Sequence, residues 1–221
     1  MRVFVLVLLL NLIAGPGYPG PWQREPGQWF VATGSNVVLS DGAQLPVHYD
    51  PTVYLEYGVT PLVTVGVDYH TADRGRIHTG FVFASFPLIP QTGRDRLAAS
   101  LAFGGRIDEY SPLEKLTRGG LAWGRGLDNG WLAAEATATY GTIDQVFRPK
   151  LDLTWGYNID ENWTTSLQLQ TGEGYADDRY AKVAASISYG ITDRYRVNLG
   201  WVKGITGDRG GALKIDLWAT F

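Results

Sequence analysis

Along most of the chain, apolar and polar residues alternate one by one. The last segment shows it most plainly. Leu213, Ile215, Leu217, Ala219 and Phe221 share one face of an extended strand, and Lys214, Asp216, Trp218 and Thr220 share the other. Residues 163–170, 150–157 and 194–201 repeat the pattern. No stretch carries a convincing helical period, so the pattern predicts an all-β chain with almost no helix. Turn signals rich in Gly, Pro, Asn and Asp divide the alternating runs. They place twelve strands near residues 28–38, 52–59, 62–70, 77–88, 96–105, 116–125, 131–140, 147–157, 163–171, 180–190, 194–203 and 211–221. Ten strands is the main competing count. Two runs, 28–38 and 77–88, look apolar on both faces.

The connections alternate in kind. Tight ones fall at 58–61, 128–130, 158–162 and 190–193. Longer, more charged ones fall at 71–76, 106–115, 172–179 and 204–210. Short turns on one side and longer loops on the other are the rhythm of an up-and-down barrel crossing a membrane. Periodicity alone does not separate that from a soluble sandwich or lipocalin-like barrel, because each has one apolar face per strand. Charge and aromatics favour the membrane reading. Glu56, Asp68, Arg118, Glu135, Lys150, Asp152, Lys182, Arg196, Lys214 and Asp216 sit on polar faces, and Arg194 opens the eleventh strand. In a barrel in lipid these residues line the lumen. Tyr57, Tyr69, Trp131, Tyr140, Trp155, Tyr157, Trp163, Tyr189, Tyr195 and Trp201 fall near strand ends. There, amphipathic rings suit the interfacial girdles of a membrane barrel.

Composition narrows the rest. The 221 residues include 28 Gly, 12 Tyr, 8 Trp and no Cys. Without Cys there is no disulfide framework, thiolate metal site or Cys nucleophile. A formal net charge of −3 argues against nucleic-acid binding. Residues 1–14 are a charged start followed by a short apolar run. It would reach roughly 18 Å as a helix, too short for a hydrocarbon core of roughly 30 Å. We read 1–20 as a signal peptide with an open cleavage point, 21–27 as a short linker and 28–221 as the barrel.

The final strand, with Phe221 last and apolar residues at Ala219, Leu217, Ile215 and Leu213, resembles the assembly signal of Gram-negative outer-membrane β-barrel proteins. The resemblance implies a bacterial outer-membrane location and recognition by the barrel-assembly machinery. It also implies contact with outer-membrane lipids, including lipopolysaccharide. It assigns no subfamily.

Three functions stay open. The first is a narrow passive pore for small polar or anionic solutes, with Lys182, Arg194, Arg196 and Lys214 as a basic stripe. The second is a sealed structural or surface-binding barrel whose buried charges pair with each other, for instance Glu135 with Lys150. The third is a lipid-modifying enzyme using His70 and His78 at a rim, with Ser85 or Ser100 supplied by a neighbouring strand. The chain lacks the His-Ser segment expected of outer-membrane phospholipases. The expected protein is monomeric and not an enzyme, with no cofactor and no metal.

Overall fold

The computed structural model describes residues 20–39, 48–109, 111–175, 179–207 and 210–221. The signal-peptide assignment lies outside these residues, apart from Gly20. Twelve strands follow one another in chain order: β1 (Trp29–Leu39), β2 (His48–Thr60), β3 (Val63–Ala72), β4 (Ile77–Pro87), β5 (Asp95–Asp108) and β6 (Ser111–Leu127) make the first half. β7 (Gly130–Gly141), β8 (Phe147–Asn158), β9 (Trp163–Glu173), β10 (Arg179–Gly190), β11 (Tyr195–Thr206) and β12 (Gly211–Thr220) make the second. Each strand pairs antiparallel with the next, and β12 returns to β1, so the sheet closes. Closure leaves no strand edge unpaired, which is what a sheet surrounded by lipid requires.

Alternation assigns the two faces. Leu151, Leu153, Leu167, Leu169, Ile187 and Leu199 point outward and are exposed, as are Leu213, Ile215 and Leu217 of β12. An apolar surface of this extent belongs against a membrane. Outward aromatics gather at the end carrying the turns β2–β3, β8–β9 and β10–β11, where Trp29 meets Tyr57, Trp163 meets Tyr189, and Tyr195 meets Phe221. Trp155 and Tyr157 join them. At the opposite, loop end Tyr140 packs on Phe147, and Tyr69 stacks on His78.

The structure departs from the sequence expectation at two connections. Residues 106–115 are not a long loop. β5 and β6 run on through most of them, and Arg106 pairs with Glu114 across the ladder. Arg106, Asp108 and Glu114 are inward-facing strand residues, with Ile107, Leu113 and Lys115 on the outward alternation. Conversely, the β4–β5 connection on the turn end spans 88–94 and is longer than its neighbours.

The two runs apolar on both faces also find a cause. Phe81 and Phe83 of β4 point inward and form a buried cluster with Ala102 and Leu116. Tyr54 stacks on Phe83, and Phe30 of β1 lies edge-on to Tyr54 and Trp218. One side of the lumen is therefore partly filled by rings.

Candidate functional site: the lumen

Inside the barrel, polar side chains come from nearly every strand. A cavity of about 710 Å³ is lined by residues of both halves, among them Asn36, Asp68, Arg118, Glu135, Gln168 and Lys214. A second cavity of about 200 Å³ is lined only by β7–β12, chiefly by Ser, Thr, Gln and Asn with Trp131 and Trp218.

Most lumen charges are tied to a partner. Arg118 reaches Asp68 at 2.8 Å and lays its guanidinium over the Phe81 ring, 4.1 Å from the centroid. Gly104 makes this possible: a Cβ there would stand 2.8 Å from the Phe81 ring and 2.0 Å from the Gly80 carbonyl oxygen. Lys150 bonds Asp152 at 2.7 Å, so it takes the residue two further along β8 rather than Glu135. Glu135 sits opposite Asp152 in the β7–β8 register, and Gln170 and Lys182 continue that row across β9 and β10. Lys182 lies 5.4 Å from the Tyr180 ring. Lys214 pairs with Asp216 at 3.3 Å, and Asp216 also accepts from Asn198. Hydrogen bonds from Gln170 to Gln168, Gln168 to Thr154, and between Ser166 and Ser186 make a continuous amide and hydroxyl surface on β8–β10.

Two assigned residues sit elsewhere than expected. Arg194 lies exposed in the β10–β11 turn, outside the lumen wall. Arg196 is at the same end and donates to the Asn162 carbonyl and to Thr164. The basic stripe is therefore broken into Lys182 and Lys214 within the lumen and Arg196 tied down at the turn end. Trp131 is not in the outer girdle. It points inward with Glu135 and is buried against Gly156, where a Cβ would meet its ring at 2.2 Å.

The rim-enzyme geometry does not form. His70 faces the lumen, whereas His78 faces outward and bonds the Tyr69 hydroxyl at 2.8 Å. They stand on opposite sides of the wall, offset by one ladder position. Ser85 and Ser100 face each other across β4 and β5, and Ser85 lies beside Thr64 on β3. Six residues of strand separate Thr64 from His70, roughly 20 Å. No general base is in reach of either serine among the residues proposed for it.

Sequence reasoning missed several lumen groups. The largest omission is the stretch before β1, assigned as a linker. Pro21 and Arg24 are buried within the barrel, and Arg24 bonds Glu56 at 2.5 Å. Glu56 also accepts from the Tyr54 hydroxyl. The only sequence signal was a Trp and an Arg set in a stretch otherwise dominated by Gly and Pro. At the loop end, Tyr175 lies between two guanidiniums, 4.2 Å from Arg106 and 4.3 Å from Arg148. Burial pushes the Tyr175 phenol above its ordinary value, and the two arginines pull it back. Arg148 in turn bonds Asp144 of the β7–β8 turn and holds that carboxyl below the usual carboxylate range. The β9–β10 loop is thereby anchored to β5 and β8 at the lumen mouth.

No protein-family model matches the chain, and no curated protein matches it. Solved structures do. A KdgM porin superposes with a TM-score of 0.68 at 9% identity, over 87% of this chain and 99% of that one. A NanC porin gives 0.59 at 10% identity, over 86% and 98%. The outer-membrane protein Omp33 of Acinetobacter baumannii gives 0.53 at 13% identity, over 90% and 100%. Identity this low speaks for architecture, and the match runs nearly the full length of each neighbour. The chain therefore has the fold of these outer-membrane barrels, twelve antiparallel strands closed into one sheet.

Proposed function

We propose that the protein is a narrow passive channel for small polar solutes in a bacterial outer membrane, with its turn end toward the periplasm. The observation that carries this is the 710 Å³ cavity within the closed wall, lined by charged and polar side chains from both halves of the barrel. Because most lumen cations have a carboxylate partner, the channel's net field along its axis is small. Lys182 and Lys214, on β10 and β12, stand beside the hydroxyl and amide surface of β8–β10. That wall offers polar and anionic solutes a path of hydrogen-bonding groups. A KdgM porin solved in complex with disordered oligogalacturonate supports elongated anionic sugars as one class to try. Contact with lipopolysaccharide at the outer rim, recognition of β12 by the barrel-assembly machinery and a monomeric state belong to the same proposal.

Swelling of proteoliposomes in isotonic solute tests it. Small sugars and small organic anions should drive swelling, with rates falling steeply as solute size rises. Absence of swelling with every solute, from protein shown to be folded, would favour the second reading, a sealed structural barrel. That reading draws its support from the paired lumen charges and the rings of β4.

A further inference from the structure

The stretch Gly20–Gln28 enters the lumen at the turn end before β1 begins. It touches the wall at a series of points. Pro21 and Trp22 lie against Gly124 of β6, where a Cβ would come within 2.6 Å of the Pro21 ring. Gln23 donates to Ser85 of β4 at 2.9 Å. The Arg24 amide donates to Thr64 of β3 at 3.0 Å, and its guanidinium bonds Glu56 of β2 and covers Phe30 of β1. At the rim, the Glu25 carbonyl oxygen lies 2.0 Å from where a Gly58 Cβ would be, so only glycine lets the segment pass. These contacts all fall on β1–β6. One 200 Å³ cavity is lined by β7–β12 alone, while another of the same volume lies on the segment's side, lined by Gly20 and residues of β2–β8. The segment thus touches one half of the wall and leaves the β7–β12 wall uncovered.

We propose that Pro21–Arg24 sets the width and the charge of the channel at its turn end, and that Arg24 is a selectivity-determining residue. Solutes then pass along the hydroxyl and amide wall of β7–β12, not through the centre. The charge argument is local. The Arg24 and Glu56 side chains are 2% and 4% exposed, and they cancel at the constriction. A buried carboxylate without its cation repels anions from the narrowest place, where fixed charge acts most strongly on a passing ion. The inference rests on the channel reading for its conductance test, so it also needs a test that does not.

Two measurements serve. In planar bilayers, Arg24→Gln should shift the reversal potential toward cations and Glu56→Gln toward anions. The double variant, which leaves no uncompensated charge, should return close to the native ratio. Replacing Pro21, Trp22 and Arg24 together by Gly should raise single-channel conductance about twofold or more. Steps of native size and selectivity in all of these variants would overturn the proposal. Independently of conduction, the chain has no Cys, so Thr64→Cys offers a single reactive site beneath the segment. Its modification by a charged methanethiosulfonate should be slow with the segment native, and at least tenfold faster with the triple Gly replacement. Equal rates would show that the segment does not cover this wall and would overturn the proposal even if no channel activity were found.

Discussion

A Cβ at Gly156 would stand 2.2 Å from the Trp131 ring, which lies flat against the β8 backbone inside the barrel. The pair shows how one missing side chain seats a large ring on the lumen wall. Gly156→Val forces the indole into the cavity or the strand off its register. Overpacking of this kind costs about 1–3 kcal/mol. Urea unfolding of the lipid-reconstituted barrel should show a loss of that size, and an unchanged midpoint would mean the ring is free to move. Trp131 also shows what was legible at this scale. It shares the parity of Glu135, so alternation alone assigns it inward. Its place at a strand end suggested the girdle instead. The Arg194 case is the converse: its parity is that of the lumen, but β11 begins one residue later than the pattern indicates, so Arg194 stays in the turn. Pairing partners were less legible still. Lys150 chooses Asp152 over Glu135, and Glu56 takes an arginine from outside the strands, because neither choice is encoded in period or spacing.

The strand is the unit in which the chain was most readable. β12 presents Leu213, Ile215 and Leu217 outward, and Lys214, Asp216 and Trp218 inward, as its alternation requires. Neighbouring residues in one strand should therefore respond oppositely to the same substitution. Leu153 of β8 faces out and Thr154 lines the lumen. Leu153→Arg, near mid-strand, should cost about 2–4 kcal/mol of folding free energy in lipid vesicles, the depth-dependent penalty for a charge on the lipid face. Thr154→Arg should cost much less, because the lumen hydrates the new charge. Similar penalties for both would contradict the facing of β8. The β5–β6 hairpin was the least readable element. Arg106, Asp108 and Glu114 look like loop residues by composition. They are strand residues that face inward, and Arg106 meets Asp108 there at 3.3 Å. β4 was ambiguous for a physical reason as well: Phe81 and Phe83 face a lumen that is locally apolar, so its two faces look alike.

At the scale of the whole molecule, strand number, closure and the inverted polarity followed from alternation and turn rhythm. The inner arrangement did not. A segment that belongs to no strand covers half of the turn end, and its placement depends on contacts with β1–β6 that only the closed barrel brings together. The lumen that results is polar, nearly charge-balanced and asymmetric, with rings and the segment on one side and hydroxyls, amides and lysines on the other. The central claim is that this lumen is open. Single-channel recording of the purified protein in a planar bilayer tests it most directly. The account predicts discrete steps of small, uniform conductance, with a modest preference for anions that weakens in Lys214→Gln. A folded, inserted barrel that gives no steps would contradict it.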